Sequence, residues 1–188
     1  VQVIIDEAGH LTDMVNDLLD ISKLQAGVTQ LNKAHFNLTK NLQAAVQRIG
    51  RMASANEFTI ELICDHDEEV FVDADEFKIY QVVYNLINNA LNYSGDSRHV
   101  IVRQECIGDT VKVSVQDFGP GIAKENLPLV WERYYKVDKE HRRSFNGSGL
   151  GLAIVRKILE LHNAQYGVDS TLGQGSTFWF CLKVSDEN

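Results

Sequence analysis

The sequence predicts an α+β fold, with helices packed on one side of a sheet and one long helix leading in. Three observations carry that expectation. Apolar residues from Val1 to about Ala26 recur at the 4-3 spacing of a packed helix. Short β-rich runs further on are grouped rather than alternating one for one with helices, which argues against a parallel doubly wound sheet. Helix-length segments lie between and after those runs.

In the leading segment Ile4, Ala8, Leu11, Val15 and Leu18 form the stripe, widened by Ile5, Met14, Leu19 and Ile21. Asp6, Asp13, Asn16, Asp17 and Lys23 occupy the other face. A repeat near 3.5 suits a helix in a coiled coil or four-helix bundle, and Gly27 stands where a C′ cap ends it. A surface helix lying on its own domain is the alternative. The stripe is already running at residue 1, which is not Met, so the chain is expected to be a piece of a longer protein. Residues 1–27 and 28–188 are the two expected units.

In the second unit Val28, Leu31 and Phe36 suggest a strand within 28–36, and Thr39 is a candidate cap for a helix reaching about Ser54. Phe58–Cys64 and Val70–Val72 read as short strands around the acidic turn at 65–69. A long helix is expected from about Asp75 to Tyr93. His99–Cys106 and Thr110–Val115 flank Gly108-Asp109, a hairpin signal. A polar, glycine-punctuated stretch from Asp117 to Gly149 precedes a helix over 150–162 and strands near 165–170 and 175–184. No internal repeat is visible.

Composition excludes several classes. With 18 Lys and Arg against 26 Asp and Glu, the net charge of −8 argues against nucleic acid, which needs a concentrated basic face. A phosphate ligand would have to be held by local geometry. Cys64, Cys106 and Cys181 are dispersed without CxxC spacing, as expected of reduced thiols in strands rather than a metal site. No apolar run approaches the roughly 20 residues of a membrane span. An apolar fraction of 44% and only two prolines fit a packed domain with little disorder.

Two glycine clusters stand out: Asp117-Phe118-Gly119-Pro120-Gly121-Ile122 and Gly147-Ser148-Gly149-Leu150-Gly151-Leu152. The second opens directly into a helix, whose first amides would be free to meet an anion. It is neither a P-loop, lacking GxxxxGK[ST], nor a dinucleotide fingerprint, having Leu152 where glycine is needed. On the long helix Asn85, Asn89 and Asn92 stand at i, i+4 and i+7, placing three amides on one face, while Leu86, Ile87, Ala90 and Leu91 turn to the core. An amide oxygen is a hard ligand suited to Mg²⁺. Singly, each feature is more often a loop glycine or a solvated asparagine; it is the combination that points to a nucleotide.

These segments resemble the histidine kinases of the GHKL ATPase superfamily over nearly the whole chain. Asn85–Ser94 is similar to the family's N box, Asp117–Ile122 to its G1 box, Trp131–Asp138 to its F box and Gly147–Leu152 to its G2 box, in the family's order. The resemblance implies a two-layer α/β sandwich, the GHKL or Bergerat ATP-binding fold, with ATP under a lid at about 123–148. It implies Mg²⁺ on Asn89, with Asn85 supporting the metal or phosphates and Asn92 completing the row. Asp117 would accept the adenine amino group's hydrogen bond. Gly119 and Gly121 would let the purine approach, with Ile122 beside them, and Tyr93 would flank or stack on it. Tyr135 would lie near the ribose, and Lys136, Arg142 or Arg143 would be available to the phosphates. Gly147 opens the box whose Gly149, Leu150, Gly151 and Leu152 would turn amides to the triphosphate.

There are departures from the family pattern. Many members carry Lys where Asn92 stands, and phenylalanines are common at Tyr134 and Tyr135. Val1–Ala26 resembles the second helix of the dimerisation hairpin, and His10, followed by Leu11-Thr12-Asp13, does not match the phosphoacceptor motif. The implied function is ATP-dependent phosphoryl transfer to a histidine outside this chain, for relay to a response-regulator receiver domain. The implied partners are that receiver domain and a second copy of the full-length protein. No nucleic acid or membrane contact is expected of this segment, a cytoplasmic domain of a protein anchored in a bacterial plasma membrane. An ATP hydrolase of the same superfamily is the alternative, but those enzymes generally place glutamate where Asn85 stands. A non-catalytic nucleotide-sensing or dimerisation module is the third reading.

Overall fold

The computed structural model describes Val15, Leu18, Leu19, Ile21, Ser22 and residues 30–65, 68–135 and 149–185. The long leading helix and most of the expected lid lie outside the described residues. The five described positions of the leader are helical. Val15, Leu18 and Leu19 are about half exposed, whereas Ile21 is buried.

Strand β1 (Ala34–Asn37) leads into helix α1 (Leu38–Ala53). β2 (Thr59–Cys64) and β3 (Phe71–Ala74) precede helix α2 (Glu76–Tyr93). The hairpin β4 (His99–Ile107) and β5 (Thr110–Asp117) follows, then helix α3 (Gly151–Leu161) and the hairpin β6 (Gln165–Thr171) and β7 (Gly175–Ser185). The sheet runs β1-β3-β7-β5-β4-β2, with β6 also on β7. β7 is long enough to pair with β5 along one edge and with β6, then β3, along the other. All pairings are antiparallel except β2 with β4.

The sequence expectation of grouped strands with helices on one side is the observed architecture. Alternation sets the faces. Val111, Val113 and Val115 of β5, Val100 and Val102 of β4, and Phe178, Phe180 and Leu182 of β7 are buried toward the helices. α2 answers with Ile79, Val82, Val83, Leu86, Ile87 and Ala90, and α3 with Ile154, Val155, Ile158 and Leu159, both at helical spacing.

Two local readings are corrected. Among the described residues the first strand begins at Ala34, so Leu31 precedes it, while Val28 lies outside the described residues. The cap of α1 is Asn37, whose side chain accepts from the Lys40 N–H, and Thr39 lies within the helix. Asparagine accepts at this position as readily as threonine, so the sequence alone did not separate them. Thr39 instead joins elements. Its buried hydroxyl accepts from the Val70 N–H at 3.0 Å and donates to Gln104 Oε1 at 3.1 Å.

α2 is capped by Asp75, whose two carboxylate oxygens accept from the Lys78 and Asn32 N–H groups. The Asp75 N–H donates to His162 Nε2 at 3.1 Å, while His162 Nδ1–H donates to the Ile158 carbonyl. That arrangement requires the neutral imidazole, and burial of the ring depresses its pKa accordingly. It ties the start of α2 to the end of α3.

Replacing Thr39 by Val should cost about 1–3 kcal/mol, because the Val70 N–H and the Gln104 amide, both buried, lose a partner together. Urea denaturation measures it, and an unchanged midpoint would show that the hydroxyl is not a structural bond.

Candidate functional site

The inward row of β5 ends on a charge. Period-2 alternation from Val111 through Val113 and Val115 carries Asp117 to the helical face, where it is 2% exposed. Its Oδ1 accepts from the Gly119 N–H at 2.9 Å, and the Ser176 N–H on β7 is a second donor. Burial nevertheless dominates and raises the carboxyl pKa to about 6, with the two amides opposing. The protein thus keeps an acceptor in its helical layer that is ionised only above mildly acidic pH.

The turn after Asp117 presses against the end of α2. A Cβ on Gly119 would fall 1.7 Å from the Tyr93 carbonyl oxygen and 3.1 Å from Asp117 Oδ1. No side chain fits there, so glycine at 119 is what allows β5 and α2 to meet. Gly121 backs onto the Thr171 carbonyl, and the Ile122 N–H donates to Ser170 Oγ at 2.8 Å. Tyr93, the last residue of α2, is 40% exposed beside this turn.

The other end of the site is the start of α3. Asn37 and Asp75 cap α1 and α2 with side-chain oxygens, but α3 begins after Leu150 with no side-chain cap. The first intrahelical bond is from the Ile154 N–H to the Leu150 carbonyl. The amides of Gly151, Leu152 and Ala153 are therefore the ones left without intrahelical partners, an anion-binding arrangement. A Cβ on Gly151 would lie 3.6 Å from Asn85 Oδ1, which brings the first asparagine of α2 alongside these amides. Asn85, Asn89 and Asn92 are all half-buried on α2. Asn92 Oδ1 is buried and has no hydrogen-bond partner among the described residues.

Of the sequence-predicted residues, Asp117 and Gly119 meet Tyr93 at the C-terminal end of α2, where Asn92 also lies, while Gly121 and Ile122 pack on Thr171 and Ser170 at the end of β6. Asn85, Gly149, Leu150, Gly151 and Leu152 gather at the start of α3, with Asn89 one turn along from Asn85. Lys136, Arg142, Arg143 and Gly147 lie outside the described residues. Tyr135 donates its hydroxyl to Asn126 Oδ1 at 2.9 Å, bracing the chain beyond β5. The Tyr134 N–H donates to the Gly149 carbonyl at 2.9 Å, and both residues are left-handed, with φ of 59° and 72°. The described segments on either side of 136–148 thus meet at these two residues.

Sequence reasoning missed Gly175 and Ser176. A Cβ on Gly175 would fall 2.1 Å from the Asp117 carbonyl, and Ser176 faces Asp117 across the β5–β7 pair. The signal was present in Gly173-Gln174-Gly175, a turn pattern next to an apolar strand. It also missed Glu132 and Arg156, which form an ion pair at 3.0 Å between the segment before Tyr134 and α3. Ile21 from the leader lines a cleft of about 560 Å³ with that pair.

A family model described as histidine kinase-, DNA gyrase B- and HSP90-like ATPase matches residues 74–186. The chain belongs to this ATPase family. Within it, the relatives are sensor histidine kinases. The sensor histidine kinase WalK of Bacillus subtilis is 33% identical over 187 residues, covering 97% of this chain and 30% of WalK. Full-length ShkA, solved in complex with AMPPNP, superposes with a TM-score of 0.84 at 26% identity, covering 99% of this chain and 38% of that one. Histidine kinase ThkA in complex with response regulator TrrA shares the fold, with a TM-score of 0.77 at 23% identity over 98% of this chain and 50% of that one. The chain spans about a third or less of the length of the curated relatives it matches. The segment is thus the ATP-binding domain of the histidine-kinase type, and no helix among its described residues is long and apolar enough to cross a membrane.

The residues present fit a nucleotide and its metal. Among the described residues no cluster of three or more His, Cys, Asp or Glu is placed to hold a metal ion. The available hard donors are the carboxamide oxygens of Asn85 and Asn89, too few alone, so phosphate oxygens would complete the coordination.

Asp117 also sets a pH dependence of stability. Its folded-state pKa of about 6 lies above the ordinary 3.8, so its contribution is fully present below about pH 4 and is lost as pH rises through 6. At pH 8 the buried carboxylate weighs against folding by roughly 3 kcal/mol. Stability of Asp117→Asn relative to the unmodified chain should therefore rise between pH 4 and pH 8. Urea midpoints at several pH values read this, and a difference that stays flat would remove the buried charge from the account.

Proposed function

We propose that this domain binds ATP with Mg²⁺ and donates its γ-phosphoryl group to a histidine on the dimerisation hairpin of a sensor kinase. The observation that carries the reading is the placement of two unlike subsites along one helix. A buried carboxylate lies beside the end of α2 at Tyr93, and an uncapped helix start lies at Asn85. Eight residues of α2 separate them, roughly 12 Å along the axis, the scale of a nucleoside triphosphate. One acceptor at one end and several donors at the other match a base with an amino group and a chain of phosphates.

Each residue then has a part. Asp117 accepts from the adenine amino group and so selects adenine over guanine. Gly119 lets the turn after β5 lie close against the end of α2 beside the base, and Tyr93 flanks it. The amides of Gly151 and Leu152, with those of Gly149 and Leu150 before them, turn toward the phosphates. Asn89, with Asn85 in support, holds Mg²⁺, which neutralises phosphate charge when bound. Asn85 cannot take a proton, so the site supplies no base for water where hydrolases of the superfamily carry a carboxylate. The names of the relatives support a histidine as acceptor, a receiver domain as the next partner and a bacterial signalling protein as the whole. Homodimerisation through the hairpin, with half-exposed Val15, Leu18 and Leu19 on the leader, belongs to the same reading.

Incubating the chain with labelled Mg-ATP should leave it unlabelled, whereas adding the full-length protein's own hairpin should yield acid-labile phosphate on the hairpin alone. Transfer should be slow, because an untethered acceptor loses effective concentration. Steady hydrolysis without transfer would favour an ATPase instead.

Adenine binding has its own signature. A carboxylate acceptor is needed, so ATP affinity should fall as pH drops below about 6, and binding at pH 6 should release a fraction of a proton. Calorimetry in buffers of different ionisation enthalpy measures the release. Equal affinity for ATP and GTP, or no proton release, would take Asp117 out of the base site.

A further inference from the structure

We infer that Arg156 is a positioning residue for the phosphate-facing amides of α3, acting through Glu132 and without touching nucleotide. The inference rests on the reading of the α3 start as the phosphate subsite. Its basis is a closed ring of contacts around that start. Arg156 lies in the middle of α3 and directs its guanidinium two ways, Nη1–H to Glu132 Oε1 at 3.0 Å and Nε–H to Glu160 Oε1 at 2.9 Å. Glu160 lies one turn along the same helix, so that bond fixes the rotamer of Arg156. The bond to Glu132 leaves the helix altogether.

Glu132 belongs to a segment anchored on both sides. Trp131 before it stands edge-on to Tyr166 and Phe178, with ring centroids 5.0 and 5.6 Å away. Tyr134 after it donates its N–H to the Gly149 carbonyl. Gly149 is the residue before the helix cap, and the path then returns through Leu150 and α3 to Arg156. The backbone at Gly149 and Tyr134 is left-handed, and a Cβ on Gly149 would lie 3.0 Å from Tyr134 Cα. Peptide planes held in that close, left-handed pairing depend on their surroundings for orientation. The Ile154 N–H bond to the Leu150 carbonyl closes the first turn of α3, and with no side-chain cap there the ring through Arg156 and Glu132 adds a second tie, from the body of the helix to Gly149 just ahead of those amides.

The side chains of Arg156 and Glu132 are 41% and 59% exposed, so the pair is a surface ion pair of modest strength. Its loss should misalign the amides for part of the time without unfolding the helix. Adenine recognition, held by β5 and the end of α2, lies off the ring and should not respond.

The test compares Mg-ATP with adenosine, by calorimetry and NMR titration, on the unmodified chain, Arg156→Lys, Arg156→Ala, Glu132→Gln and the Arg156→Ala/Glu132→Gln pair. Mg-ATP affinity should fall about threefold to fivefold in Arg156→Ala and in Glu132→Gln. The double variant should be no weaker than the weaker single one, because both remove the same link. Arg156→Lys should recover only part, since an ammonium cannot make the two directed bonds of the fork. Adenosine binding should stay unchanged throughout. Raising ionic strength should narrow the gap between unmodified and variant chains. Equal losses for ATP and adenosine, additive losses in the double variant, or no loss at all would overturn the inference while leaving the functional reading intact. Failure of the unmodified chain to bind Mg-ATP would sink the functional reading, and this inference with it.

Discussion

A carboxylate buried against its own solvation preference is the constraint around which this domain is arranged. Asp117 occupies the last inward position of β5, where three valines before it are packed in hydrocarbon. Leaving it ionised there demands donors, and they come from the backbone of the next turn and the neighbouring strand. Those donors can approach only because the positions beside them have no side chain. A methyl group at 119 would collide with the end of α2, and one at 175 with the backbone of Asp117 itself. The two amides offset burial only in part, as the pKa near 6 records. A fold optimised for stability alone would place an apolar residue at 117. Keeping the acceptor is the kind of local sacrifice that binding sites make.

The opposite problem is solved at the other end. An acidic protein must hold phosphates without a favourable overall field. The helices divide the labour. α1 and α2 each have a first-turn amide, of Lys40 and Lys78, met by the side chain of the cap, Asn37 and Asp75. α3 starts on Leu150, which is buried and has no side-chain oxygen to cap with. The difference between a capped and an uncapped start is a difference of one residue type, and it decides which helix can accept an anion.

Much of this was legible in the sequence because it follows from short-range rules. Alternation along β5 and the seven-residue span from Asn85 to Asn92 are periodicities, and periodicity fixes faces. The glycine clusters announced themselves by composition. What was not legible depends on contacts between distant segments. Thr39 looked like a cap, since a threonine ahead of a helical pattern usually is one, but its hydroxyl serves Val70 and Gln104, 31 and 65 residues away. The β1 boundary moved because Leu31 is apolar without being in a strand. Glu132 and Arg156 are 24 residues apart and read as solvated charges until the fold places them together. Ser176 contributes a backbone amide, which no side-chain pattern can signal.

The separation of subsites along α2 bears on why such a domain can hold a reactive phosphoanhydride without wasting it. On the proposed reading, the described groups at the start of α3 and on the facing side of α2 are amide N–H donors and carboxamides, none of which can accept a proton from water. The carboxylates on and beside α3, Glu160 and Glu132, are both committed to Arg156. Among the described residues, water arriving at the phosphates therefore meets electrostatic stabilisation but no base where Asn85 stands. A neutral imidazole is different, since its nitrogen is nucleophilic without prior deprotonation. A site that supplies charge stabilisation and withholds a base discriminates between the two nucleophiles by their chemistry alone, and the side chain at 85 is where that discrimination is set.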